Sequence, residues 1–126
     1  MSKYARRKDA SHSAIVKAFR ALGCSAVAIE SPTAGLPDLA VGCAGRTHLV
    51  EAKPSAAQTK DKRQLTPRAS QIAFAESWKG GGIPIVHDAA EVAQLTEMWR
   101  LEASNADRAA LLLKRELDEV LGRING

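Results

Sequence analysis

Aromatic residues make up only 4% of the 126-residue chain, too few for a surface that stacks one base on each of several rings. No apolar run approaches the roughly 18 residues that a membrane-spanning helix needs. The N-terminal stretch Met-Ser-Lys-Tyr-Ala-Arg-Arg-Lys is basic, with no apolar segment behind it of the kind a signal peptide requires. The expectation is a soluble cytoplasmic protein with no membrane partner. Cysteine is scarce as well. Cys24 and Cys43 are far apart in sequence, with no C-x-x-C and no paired histidines at zinc spacing. That excludes a disulfide framework or zinc finger and leaves two reduced, partly buried thiols. Internal repeats and low-complexity tracts are also missing. What is present is an ordinary globular mixture, 45% apolar and 25% charged, in a length that suits one domain and argues against whole-chain disorder.

The charge is unevenly distributed. Residues 1–20 carry a net +5, residues 21–52 −2, residues 53–79 +4 and residues 80–126 −3. Two basic blocks therefore flank a weakly acidic centre. The pattern suits a polyanion held over a site that contains carboxylates, and equally suits a solvated basic face.

Residues 9–22 read as a helix, with Ile15, Val16, Phe19 and Leu22 on one face and Gly23 as its stop. Ser25–Glu30 is short, apolar and β-branched, which predicts a strand. After the Pro- and Gly-punctuated loop 31–35, strands are expected at Asp38–Val41 and Thr47–Lys53. The short Gly-containing connection between them makes an antiparallel hairpin the simplest pairing. Residues 54–64 are polar, basic and aperiodic, as a mobile loop would be. Thr66-Pro67 opens a predicted helix to about Trp78, with Thr66 as N-cap. A fourth strand is expected at Ile83–Val86. Asp88-x-x-Glu91 has the form of a capping box and starts a helix to about Leu101. Ser104-Asn105 would cap a separate last helix with the stripe Ala110, Leu113, Leu117, Val120 and Leu121. The expected class is α/β: a small mixed four-stranded sheet flanked by helices in the order α-β-β-β-α-β, with extra C-terminal helices.

One constellation can carry chemistry. Alternation along a strand points Glu51 and Lys53 to the same face and Ala52 away. If the hairpin pairs as expected, Asp38 arrives beside Glu51. Glu51 also ends the apolar segment Leu49-Val50, where a lone carboxylate is costly. Carboxylate oxygens hold Mg²⁺, which keeps several waters and accepts a phosphate oxygen. Such an ion lowers the pKa of a bound water and neutralises charge on a phosphodiester transition state, while a neighbouring lysine orients the water or stabilises that charge. Each motif singly is also common on solvated strands.

The segments Gly35-Leu36-Pro37-Asp38-Leu39-Ala40-Val41-Gly42, Gly45 to Lys53 and Leu65-Thr66-Pro67 resemble the VRR-NUC branch of the PD-(D/E)xK nucleases, in the small stand-alone form found in phages and prophages. The resemblance spans roughly residues 6–95. It implies a restriction-endonuclease-like core and DNA cleavage dependent on Mg²⁺, or Mn²⁺ as a substitute. By the same resemblance Asp38 and Glu51 would be metal ligands, the Ala52 carbonyl a third, and Lys53 the catalytic lysine. Relatives often carry a glutamine on the helix after Leu-Thr-Pro and an aromatic residue three positions on. Gln71 and Phe74 have that spacing here, about two residues further from Pro67, which makes Gln71 a candidate for supporting the site. Relatives can also supply an acid from the first helix, where this chain has Ala14 with Asp9 and His12 nearby. Either could reach the metal or substrate, or serve as a helix cap and a surface residue respectively.

Arg6, Arg7, Lys8, Lys60, Lys62 and Arg63 are the natural phosphate contacts on DNA. His48 is expected outside the carboxylate constellation, Asp88 is explained as a cap, and Trp78 and Trp99 as core or interface. Gly80-Gly81-Gly82 lacks a following Lys-Ser or Lys-Thr and is a turn. Residues 1–103 would form the nuclease domain. Residues 104–126 would form a helix that packs on it or supplies the seam of a homodimer. The expected activity is endonucleolytic, with structured or branched DNA among the candidate substrates. The alternative is a nuclease fold that binds DNA or a protein without cutting, and RNA is not excluded.

Overall fold

The computed structural model describes residues 3–31 and 33–125, with side chains from His12 onward. The described chain is mixed α/β, with three α-helices and one four-stranded sheet in the order β1-β2-β3-β4.

Helix α1 spans Lys3–Ala21 and buries Ile15 and Phe19, with Val16 partly buried against the same core. It begins upstream of the expected start, so position 9 lies within the helix and not at its N-terminus. Leu22, expected on the inner face, lies past the helix end and is exposed. Gly23 closes α1 as the pattern requires. Its φ is +83°, its N–H donates to Arg20 O at 3.0 Å, and Cys24 N–H donates to Phe19 O at 3.1 Å. Those two bonds form a Schellman cap, which satisfies carbonyls the helix leaves open.

Strands β1 (Ser25–Ala28), β2 (Leu39–Cys43) and β3 (Arg46–Ala52) pair antiparallel. β1 stops two residues short of the expected Glu30, although Ile29 N–H still reaches Asp38 O at 2.8 Å. The β2–β3 hairpin is the expected one. Cys43 pairs with Arg46 across a two-residue turn in which Ala44 (φ 53°) and Gly45 (φ 77°) are both left-handed, the geometry whose twist matches a tight hairpin. The register Leu39↔Val50 and Ala40↔Leu49 continues to place Asp38 opposite Glu51. β4 (Ile85–Val86) runs parallel to β3; Pro84, inside the expected strand, has no N–H and offers only its carbonyl, to Glu51 N–H at 2.9 Å.

Leu39, Val41, Val50 and Ala52 point into one core with Phe19, Val92 and Trp99. His48 lies on that face too, its ring stacked 3.8 Å from Trp99, and burial lowers its pKa below the ordinary value. Trp99 is core, whereas Trp78 is exposed and stacks on Phe74 at 5.6 Å. Cys24 and Cys43 are free, buried and hydrogen-bond neighbours.

Two helix expectations are corrected. α2 covers Ala69–Ser77, with Arg68 and not Thr66 at the N-cap. The reason is Gln71, whose side-chain Oε1 accepts the Arg68 N–H at 2.8 Å, so the chain enters the helix there. α3 is one unbroken helix, Ala89–Asn125, and Ser104-Asn105 caps nothing. No Gly or Pro stands between Ala89 and Leu121, and Ser or Asn inside a helix costs only a few tenths of a kcal/mol, about 0.5. Ala103 is the last buried residue of α3, so the boundary expected after residue 103 falls inside this helix, where burial ends. At its start Asp88 does cap, accepting Glu91 N–H at 2.9 Å, while the Glu91 carboxylate turns to His87 N–H at 3.1 Å. Among the described residues no helix is long and apolar enough to cross a membrane.

Candidate functional site

Directly opposed residues of an antiparallel pair project to the same face. Asp38 and Glu51 therefore meet on the side of the sheet away from the main core, and Lys53 joins them two residues along. All three are nearly closed to solvent, with 8%, 4% and 8% of their surface exposed. Lys53 Nζ lies 3.7 Å from Glu51 Oε1. Gln71 Nε2 donates to the same oxygen at 2.9 Å, so one amide both caps α2 and orients the Glu51 carboxyl.

Asp38 is held from three directions. Ala52 N–H donates to its Oδ2 at 3.1 Å, and His12 Nε2 stands 3.4 Å from the same atom. Burial alone would push the Asp38 carboxyl up. Hydrogen bonds from His12, from the Glu51 carboxyl and from Ala52 N–H outweigh it and hold Asp38 below the usual carboxylate range. Two buried carboxyl groups thus stand together beside a buried lysine.

β4 fixes the backbone that carries this group. Glu51 N–H bonds to Pro84 O and Lys53 N–H to Val86 O, both at 2.9 Å. Gly35 brings α2 up to it. Its φ is +87°, and a Cβ there would lie 2.3 Å from the Ser70 carbonyl oxygen. Only a residue without a side chain lets the first turn of α2, with Gln71, close over Glu51. A cleft of about 170 Å³ opens beside Asp38, lined also by Gly35, Arg68 and Gln71. A second, about 290 Å³ and more apolar, reaches Glu51 between Phe74 and Ile85.

The expected cluster Asp38, Glu51, Lys53 and Gln71 is therefore assembled, and His12, left open between site and surface, touches it. Ala52 enters through its N–H, and Ala14 is exposed. Lys60, Lys62 and Arg63 are exposed on the β3–α2 connection, which contains a 3₁₀ turn at Lys62–Gln64. Arg63 already pairs with Asp61 at 3.1 Å. The side chains of Arg6, Arg7, Lys8 and Asp9 lie outside the described residues. One residue beside the site was not foreseen. Arg68 lines the cleft beside Asp38. His87 lies 3.3 Å from Leu65 O and 3.1 Å from Glu91, linking the connection to α3. Arg68 has no local signal, since it acts across elements, whereas the His87–Glu91 pair is local, four residues apart.

Among the described residues no group of three or more His, Cys, Asp or Glu is placed to hold a metal. The donor set at hand is the Asp38–Glu51 carboxyl pair. Mg²⁺ commonly takes only one or two protein carboxylates and completes its shell with water and phosphate, so the pair fits that ion in kind and number. Comparison with protein-family models, with curated proteins and with solved structures finds no match for this chain.

Proposed function

We propose that the chain is a metal-dependent deoxyribonuclease with a restriction-endonuclease-like core, of the VRR-NUC type its motifs resemble. One observation carries this: two buried carboxyls, a buried lysine and an orienting glutamine converge at the end of a hairpin. Burying such groups costs several kcal/mol unless they are paired, on the order of 2–5, and a fold selected only for stability would fill the place with apolar side chains.

Asp38 and Glu51 would hold Mg²⁺, or Mn²⁺ in its place. When bound, the ion supplies a water of lowered pKa and charge neutralisation at the scissile phosphate. The protein's own part is positional and electrostatic. Gln71 fixes the rotamer of Glu51, Ala52 N–H fixes that of Asp38, and Lys53 brings a positive charge to where the phosphate and attacking water would lie. Lys60 and Lys62 would hold the DNA backbone without reading sequence.

The test is cleavage of labelled duplex, single-stranded, flap and four-way-junction DNA with Mg²⁺, Mn²⁺ or EDTA. Metal-dependent cutting that is lost in both Lys53→Ala and Asp38→Asn supports the proposal. A second reading, a nuclease fold that binds DNA or a protein without cutting, is favoured by Ala14 standing where an acid could complete the ligand set. Binding of every substrate with no cleavage, and no Mg²⁺ or Mn²⁺ uptake by calorimetry, would select it.

A further inference from the structure

Along α3 the positions 92, 96, 99, 103, 106, 110, 113, 117, 120 and 124 alternate in steps of four and three, one unbroken seam. Val92, Thr96, Trp99 and Ala103 are buried in the domain. Past Ala103 the seam leaves the body, and among the described residues nothing is packed on it: Leu113, Leu117, Val120 and Ile124, with Leu121 beside them, are 47–72% exposed. A projecting helix of this length is marginal in water without packing on its apolar face.

We propose that this seam pairs antiparallel with the same segment of a second copy, end regions overlapping. The pattern matches itself in that arrangement. Leu113 then faces Ile124 of the other copy and Leu117 faces Val120, so every layer joins two bulky side chains. On one flank Glu116 meets Arg123 of the other copy, twice by symmetry, and on the other the Lys114 stem covers Leu121. Residues 104–125 carry four acids and four bases, so neither DNA nor a helix of one sign is the natural partner. The five large side chains present roughly 500 Å² per copy, about 1,000 Å² per pair, the lower bound for a specific interface. The overlap is centred well beyond Ala103, which keeps the two bodies at opposite ends. The pairing does not depend on nuclease activity.

Sedimentation velocity of the full chain from about 1 to 100 µM tests this. A dimer that Leu117→Asp converts to monomer supports the proposal, provided Leu112→Asp, equally exposed but off the seam at 51%, leaves the dimer intact. Glu116→Arg or Arg123→Glu alone should weaken dimerisation roughly tenfold, and the double exchange should restore it to within about threefold. A monomer at every concentration overturns the proposal. Failure of the double exchange to restore the dimer overturns the antiparallel register.

Discussion

Replacing Gly35 by alanine separates two costs that usually come together. The first is conformational: at φ +87° a residue with a Cβ is strained by about 1–2 kcal/mol. The second is steric. The new Cβ would stand 2.3 Å from Ser70 O and 2.8 Å from Ser70 C, both backbone atoms at the start of α2. Neither can rotate away, so the helix end must move by more than half an ångström, an overpacking cost of about 1–3 kcal/mol. Gly45 supplies the control. Its φ is +77° and nothing lies within 4 Å of an added Cβ, so Gly45→Ala bears the first cost alone. Urea unfolding should show Gly35→Ala destabilised by about 2–5 kcal/mol and Gly45→Ala by about 1–2. The displaced helix end also carries Gln71, so the 2.9 Å bond to Glu51 should be lost in the first variant only, seen as a shifted Gln71 side-chain amide resonance. Equal destabilisation by the two variants would refute the view that Gly35 is needed to seat α2 over the carboxylates.

Other consequences follow from the same geometry. His48 is buried against Trp99 and its pKa lies below 6.5, so the unfolded chain binds that proton more tightly. Stability should be complete above about pH 6.5 and fall as pH drops through and below it, with His48→Phe flattening the decline; an unchanged profile would remove His48 as its source. The Asp38 contribution has the same sign but stays constant over that window, fading only below the ordinary carboxylate pKa of 3.8. Burial, with Cys43 beside it, pushes the Cys24 thiol up to about 11, so Ellman's reagent should react with the native chain at least ~100-fold more slowly than with the unfolded one. Replacing Lys60, Lys62 and Arg63 together by alanine should weaken DNA binding and reduce its salt slope by about 2 to 3, with Arg63 the smallest contributor because Asp61 already holds it; an unaltered slope would dismiss these residues as phosphate contacts.

The central hairpin was legible because its determinants are local. Strand alternation and the tight Ala44-Gly45 turn put Asp38 opposite Glu51 without any other element. Gly23 and Asp88 acted where local chemistry says they should, whereas the strand expected from Ile83 begins only after Pro84. What local pattern could not supply is contact between distant elements. His12 reaches Asp38 across 26 residues of chain, and His48 meets Trp99 across 51. Gln71 drew α2 to a later start because its amide serves the helix end and Glu51 together. Ser104-Asn105 carry the chemistry of a cap, yet a cap forms only where the backbone turns, and α3 continues straight through. Residue type set the donors, acceptors and apolar faces available along the chain; which of them meet depended on how the helices pack on a sheet whose register was already determined.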